Sequence, residues 1–578
     1  MPPKRAKKRA ASPVADDDAP QRKQPKRGGR AKAKAEPIDD DASADNAEAE
    51  QQTDKKSSKP APQFKEAQVA KPGSRQVPLD EGCPTSYRVY VGDDGIIYDA
   101  SLNQTNASGN NNKFYRIQLL HSSSTYRTWT RWGRVGERGQ NAMLGNGSLE
   151  DALKNFDKKF KDKSGLKWDD RQEKPKPNKY VFVERSYDPE SDNDDEPAAK
   201  GGAERNGYSP PKCTLDSPVK SLMELIFNQE YFEATMAALN YDSEKLPLGK
   251  LSKPTISRGY QALKELADLL DDSSKAGNYD LSVAEATEHL SNLYYSTIPH
   301  SFGRNRPPVI RTMELLKREI ELLESLTDLK EADAIIKDKG DRDVHPLDSR
   351  FKGLGMQEMT ALEPDSAEFS GVSEYLLKTC GFTHTVNYHV LDIFRIQRAD
   401  EEDRFLKSQF SKVSSDRRLL WHGSRATNYG GILGQGLRIA PPEAPLSGYM
   451  FDKGIYLADM SSKSANYCVP GISGGHALLL LCEAELGDPM QVLDNAQYDA
   501  GTTAKEKGLH STWGRGQTAP KAWKDAKCLH RSLAGVKMPD TTEKPDDTGA
   551  LGAYLQYNEY ICYDVAQVRL RYLLRVRM

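Results

Sequence analysis

Between residues 215 and 335 the apolar side chains recur at helical spacing, whereas on either side of that stretch they alternate with the two-residue period of strands. A helix and a strand cannot share one hydrophobic period, so the chain must pack as separate units rather than one continuous layer. In the helical stretch Val219, Leu222, Met223, Ile226 and Phe227 follow an i, i+3, i+4, i+7, i+8 pattern. Met313, Leu316, Ile320 and Leu323 make a second stripe. Ser217 is the expected N-cap and Pro218 the expected first helical residue. Upstream, Tyr115, Ile117 and Leu119 alternate with Arg116 and Gln118, and Trp129 and Trp132 lie in a second strand-like run. A helix is predicted over 149–161 from Leu153, Phe156 and Phe160. Downstream, Ala477 to Leu481 reads as a buried strand. At the C-terminus Val568, Leu570, Tyr572, Leu574 and Val576 alternate with arginines, which predicts a half-buried strand with a basic outer face.

These periods predict a multidomain α+β protein. The expected order is a disordered basic tail over 1–80, a small α+β module over 85–183 and an acidic linker over 186–210. An all-α bundle over 211–335 and a mixed, mainly-β domain over 345–578 follow. The net charge of −2 says little, because 82 basic residues nearly balance 84 acidic ones. Their placement says more. Lys4 to Arg9 and Lys26 to Arg30 concentrate positive charge where large apolar residues are nearly absent, which suits nuclear import or nucleic-acid contact. Ser57, Ser58 and the acidic run Glu190 to Glu196 are candidate exposed sites of self-modification. The seven cysteines are scattered and none forms a C-x-x-C pair, so reduced thiols are expected, with no structural zinc and no other metal. No run of ~18 apolar residues suggests a membrane span, and no membrane partner is expected. No Walker loop or strand-borne G-x-G-x-x-G supports a P-loop or Rossmann site.

Two stretches have the look of a site. One is Leu419-Leu420-Trp421-His422-Gly423-Ser424-Arg425, followed by the glycines 430, 431, 434 and 436. The other runs from Gly448 through Tyr456 to Asp459. Glycines beside His, Ser and Tyr permit a ligand to approach the backbone closely. Isolated His and Tyr residues serve packing more often than chemistry, so these stretches alone identify no reaction.

Together with Gln435 to Pro445, Lys453 to Tyr456, Ser462 to Cys468 and Tyr557 to Tyr560, however, they closely resemble the catalytic domain of the poly(ADP-ribose) polymerases. Leu246 to Ser252 and Ile298 to Gly303 resemble that family's helical regulatory domain, and Trp132-Gly133-Arg134 its WGR domain. The resemblance spans roughly 85–578, without zinc fingers, as in the shorter DNA-dependent members. It implies a WGR module, a regulatory bundle and an ADP-ribosyltransferase domain, with NAD⁺ as substrate and no metal. It also implies residue roles. Glu559, His422 and Tyr456 would form the catalytic set. Gly423 and a serine hydroxyl, taken as Ser424, would hold the nicotinamide carboxamide. Tyr467 and Tyr456 would flank the ring, and Asn428 and Arg438 would help His422 at the adenosine end. Lys463 would orient Glu559, and Ser464 completes the expected NAD⁺-binding set. Met450 and Tyr557 would line an acceptor pocket, while Trp132 and Arg134 would contact DNA. The implied activity is polymer formation on the enzyme itself and on chromatin and DNA-repair proteins, activated by DNA strand breaks in the nucleus. An inactive or single-unit-transferring DNA-end scaffold is the alternative. Leu457 stands where relatives often carry an aromatic residue, and the segment 501–527, with Trp513 and Trp523, departs from the family pattern.

Overall fold

The computed structural model describes residues 77–187, 211–241, 251–337 and 343–578. The basic tail through residue 76, the acidic segment 188–210 and most of Leu246–Ser252 lie outside the described residues, as do the readings made on them. The fold is multidomain α+β.

The first region is a sheet covered by one helix. Its strands are β1 (Arg88–Val89), β2 (Asp99–Asn106), β3 (Asn111–Ser122), β4 (Thr125–Arg134) and β5 (Gln140–Gly147), with β6 (Val181–Val183) after the helix α1 (Leu149–Ser164). The path is β5-β4-β3-β2-β6, with β1 on β3. The helix starts at Ser148, whose side chain accepts from the Asp151 N–H, and ends at Gly165 in the left-handed region. Its Phe156 and Phe160 each meet Trp168 edge-on at 5.0 Å.

The helical region holds α2 (Ser217–Ile226), α3 (Gln229–Ala238), α4 (Lys253–Asp271), α5 (Val283–Thr297) and α6 (Met313–Lys337). Leu222, Leu263, Leu290, Leu316 and Leu323 are fully buried in one core, each such side chain stabilising by about 1.5–3 kcal/mol. Asn228, Ser252 and Ser282 cap α3, α4 and α5 with side-chain oxygens. The expected start of α2 needs correction. Asp216 is the N-cap and Ser217 the first helical residue, so Pro218 follows one position later than predicted.

The C-terminal region begins with α7 (Pro346–Gly353), β7 (Met356–Ala361), α8 (Ala367–Lys378), β8 (His389–Arg398) and α9 (Glu401–Lys407). It continues through β9 (Arg417–Ser424), α10 (Tyr429–Gln435), β10 (Ile455–Leu457), α11 (Ser461–Ala465), β11 (His476–Glu485) and β12 (Gln491–Leu493). Next come α12 (Ala500–Glu506), β13 (Ser511–Gly514), β14 (Gly516–Ala519), β15 (Trp523–Asp525) and β16 (Lys537–Pro539). It closes with β17 (Asp546–Asp547), β18 (Leu555–Tyr557), β19 (Glu559–Cys562) and β20 (Val568–Arg577). A large sheet runs β15-β16-β9-β11-β20-β8-β7 and a smaller one β10-β19-β13-β12. Ala458, just after β10, bridges to Trp421 of β9 and joins the two sheets.

The strand β11 is buried on both faces, as its apolar run predicts. The outer-face prediction for β20 is wrong. This strand lies between β11 and β8, and Arg569, Arg571 and Arg575 are drawn into ion pairs while only Arg577 is exposed. Arg569 is buried against Glu483 at 2.5 Å and Glu402 at 2.6 Å, and Arg575 pairs with Asp392 at 2.5 Å. Buried charge is tolerable only with such partners, which the alternation of β20 alone does not reveal.

Candidate active site

The joint between the two sheets collects most of the residues singled out above. Trp421 of β9 donates its N–H to Ala458 at 2.7 Å and accepts from the Ala458 N–H at 2.9 Å. Backbone groups in a strand alternate sides, so Gly423, two residues on, presents its own N–H and C=O along the same edge, beyond the bridge. A Cβ at Gly423 would lie 2.1 Å from the Ser464 carbonyl oxygen, so only glycine fits. The edge therefore offers one donor and one acceptor side by side, the complement of a carboxamide.

The helix α11 sits against this edge. Ser464 Oγ donates to the Trp421 carbonyl at 3.0 Å, which places its hydroxyl beside Gly423. Ser424 points elsewhere, its Oγ accepting from Asn428 Nδ2 at 3.0 Å. Of the two serines, Ser464 rather than Ser424 lies where a carboxamide on Gly423 would be reached. The preceding residue on α11, Lys463, places Nζ 3.0 Å from Glu559 Oε1 and 2.8 Å from the Tyr557 carbonyl. One five-residue helix thus ties the Glu559 carboxylate to the Gly423 edge. Tyr467, two residues after α11, is 57% exposed, which leaves a ring face open for stacking.

His422 Nδ1 lies 3.0 Å from the Tyr456 carbonyl oxygen. A carbonyl only accepts, so Nδ1 carries the proton and Nε2 is left as an acceptor. Burial lowers the His422 pKa despite this bond, which favours the neutral ring. The Tyr456 hydroxyl is fixed between the Asp452 carbonyl at 2.8 Å and the Phe451 N–H at 2.9 Å. Only its ring is available to a ligand.

Behind Glu559 lies a buried polar network. Asp459 Oδ2 accepts from Asn558 Nδ2 at 2.7 Å and from the Tyr560 hydroxyl at 3.1 Å, so both neighbours of Glu559 are anchored to one carboxylate. Burial pushes the Asp459 carboxyl up, against the lowering effect of these bonds. Arg418 donates to the Tyr560 hydroxyl at 3.0 Å and packs 4.5 Å from the Trp523 ring and 5.9 Å from that of Trp513. The two unexplained tryptophans thus help to enclose this network. Leu457, where the chain departs from the family pattern, is buried and packs in the core.

Several expected site residues are placed differently. Arg438 does not reach into the joint. It pairs with Asp328 and, at 4.0 Å, with Glu331, both on α6. Asn428 is buried behind Ser424. Tyr557 is 2% exposed and its hydroxyl lies 2.7 Å from Thr383 Oγ1, so it packs under a loop. Met450 packs with Phe451 and Tyr456 at the edge of the joint. Glycines 430 and 431 serve α6, not a ligand: a Cβ on Gly430 would meet Ala332 Cβ at 2.6 Å, and one on Gly431 the Asp328 carbonyl at 2.7 Å.

Sequence reasoning missed α6 as a wall of the site. Its carboxylates at helical spacing reach across. Glu321 pairs with Arg425 at 3.2 Å, Glu324 accepts from the Tyr449 hydroxyl at 2.5 Å and Asp328 holds Arg438. The Tyr449 ring lies 6.4 Å from that of Tyr456. Burial pushes Glu324 up to about 7, and Asp328 up to about 6 even beside Arg438. The acidic i, i+3, i+7 row was visible in the sequence, but its partners lie about 100 residues away.

The two residues expected to contact DNA both lie near the end of β4. Trp132 is partly exposed and stacks on Tyr115 at 5.9 Å. Arg134 is occupied within the protein. Nε donates to the Gly303 carbonyl at 2.6 Å, and its terminal nitrogens donate to the Asn110 and Asn305 carbonyls at 2.9 and 3.1 Å. It therefore clamps the first region to the 303–305 turn.

Comparison with known proteins follows the same division. Residues 366–578 match the poly(ADP-ribose) polymerase catalytic domain, 213–351 the regulatory domain of that family and 98–175 the WGR domain. The chain is 39% identical over 514 residues to poly [ADP-ribose] polymerase 2 of Homo sapiens, covering 87% of this chain and 83% of that protein. It is 41% identical over 498 residues to poly [ADP-ribose] polymerase 2 of Arabidopsis thaliana, covering 84% and 74%. Against poly [ADP-ribose] polymerase 1 of Gallus gallus it is 36% identical over 525 residues, covering 90% of this chain and 49% of the longer protein.

Proposed function

This chain belongs to the poly(ADP-ribose) polymerase family and is an NAD⁺ ADP-ribosyltransferase, and we propose from that premise that DNA strand breaks switch it on in the nucleus. It builds poly(ADP-ribose) on itself and on chromatin and DNA-repair proteins, releasing nicotinamide. The domains in this reading are 85–183, 211–335 and 345–578.

The observation that carries the reading is the tie made by α11 between Glu559 and the Gly423 edge. The Gly423 N–H and C=O and the Ser464 hydroxyl hold the carboxamide. The Tyr467 and Tyr456 rings flank the nicotinamide, and His422 Nε2 accepts from a ribose hydroxyl. The N-glycosidic bond breaks with its electron pair leaving on nicotinamide, which departs neutral. The anomeric carbon passes through an oxocarbenium-like state that the Glu559 carboxylate stabilises. The acceptor oxygen then bonds to that carbon, and its proton passes by way of Glu559 to solvent.

Regulation follows from α6. Its carboxylates hold Arg425, Tyr449 and Arg438 on the rim of the joint. The first region meets the same bundle. The Thr105 N–H donates to Ser296 Oγ at 2.8 Å, Asn112 Nδ2 to the His300 carbonyl at 2.8 Å, and His300 Nε2 lies 3.0 Å from Glu319 on α6. DNA engagement by the WGR region, with Trp132 stacking on an exposed base, loosens the bundle and opens the NAD⁺ site.

Incorporation of labelled NAD⁺ with and without 5′-phosphorylated nicked DNA tests this. Polymer is expected with DNA, and deletion of 215–335 is expected to raise activity without it. A wild-type protein that incorporates nothing would refute the enzyme reading. A deletion that stays silent without DNA yet responds normally to it would refute the bundle as the switch.

A further inference from the structure

We propose that Cys213, His345 and Asp348 form a binding site for a divalent zinc-like cation that clips the entry of the helical bundle to its exit. One ligand atom from each lies within 4.8 Å of the other two. A thiolate, an imidazole and a carboxylate are a donor set that Zn²⁺ accepts and that hard cations such as Mg²⁺ do not favour. All three residues are partly buried, so solvent can supply a fourth ligand.

The local chemistry is divided in a way that leaves room for the ion. Cys213 Sγ donates to Asp348 Oδ1 at 3.1 Å, the Thr214 N–H is shared between Oδ1 at 3.2 Å and Oδ2 at 3.0 Å, and the Thr214 hydroxyl donates to Oδ2 at 3.0 Å. Thr214 can therefore keep Oδ2 while Oδ1 turns to the metal. On binding, the Cys213 S–H bond gives up its proton to solvent and the sulfur bonds to the cation. Cys213 is far from the other two in sequence. Cys213 lies four residues before α2, and His345 and Asp348 flank the start of α7. A metal here links residues on both sides of the bundle, across 132 residues of chain from Cys213 to His345. An ion bound only by the assembled form favours that form by mass action. The pinning effect rests on the proposal that the bundle opens; the site itself does not.

The test uses the untagged full chain, reduced and stripped with a chelator, titrated with Co²⁺ as a spectroscopic stand-in for Zn²⁺. One equivalent is expected to produce a thiolate-to-cobalt charge-transfer band that Zn²⁺ removes. Cys213→Ser retains an O–H donor for Asp348 and should fold normally while losing the band. His345→Ala should weaken binding at least tenfold. Absence of the band in wild type, or its persistence in Cys213→Ser through another thiol, overturns the site. Zn²⁺ should also slow amide exchange in α2 and α7 of the wild type but not of Cys213→Ser. A bound metal with unchanged exchange overturns the clip. The DNA-activation assay is read separately, so failure of that reading leaves the cobalt titration intact.

Discussion

The sheet joint around Glu559 and the α6 wall face the same space but are held by different forces. At the joint, backbone bonds, a short ion pair and a network on Asp459 fix each group, and the hydroxyl of Tyr456 is bonded on both sides. Along α6, single long side chains reach across, and two of its carboxyls are buried at a cost that raises them to about 7 and about 6. The first arrangement suits preorganised chemistry and the second suits a contact that must be broken.

Five experiments sharpen that contrast. Glu559→Gln should have the largest effect, lowering turnover by roughly 10²–10⁴-fold with NAD⁺ affinity nearly unchanged. A parallel loss of affinity, measured by calorimetry, would mean that Glu559 chiefly binds. Asp328→Asn breaks the Arg438 ion pair and should raise DNA-independent incorporation roughly fivefold or more. No increase would remove that pair from the switch.

The pH response of α6 comes next. A carboxyl raised in the docked state binds more protons there than in the open state. Docking through Glu324 is therefore strongest below its ordinary range, weakens as pH rises toward about 7 and changes little above that. Amide exchange in α6, normalised for the intrinsic rate, should quicken between about pH 5 and pH 7.5, and Glu324→Gln should flatten the change. Arg134→Ala should leave affinity for nicked DNA nearly unchanged while weakening activation. A salt dependence of binding shallower by about one unit would instead return Arg134 to phosphate. Tyr560→Phe should be mildest, costing ~1 kcal/mol in denaturant unfolding and a small part of turnover. A loss as large as that of Glu559→Gln would show that the Asp459 network carries more of the chemistry than its distance from the joint implies.

Much of the fold was legible because period reports burial. The α1 and α6 stripes and the β11 run all appear where their spacing put them. The β20 prediction failed because alternation with arginine reads as exposure when the partner carboxylates belong to β8, β11 and α9. The internal partners of Arg134 and Arg438 were not legible, because a basic side chain in a matching motif gives no sign of which acceptor it meets. The two serines were separable only once α11 was seen against β9.

Local period and residue type along the chain already marked the family, the three folded textures and the candidate site residues. Tertiary structure alone decided which of those residues share a space. It brought Glu559, Lys463 and Ser464 to one edge, set a row of α6 carboxylates over the rim and gathered Cys213 with His345 and Asp348. Such placements depend on contacts between distant segments, whose geometry comes from packing and not from spacing.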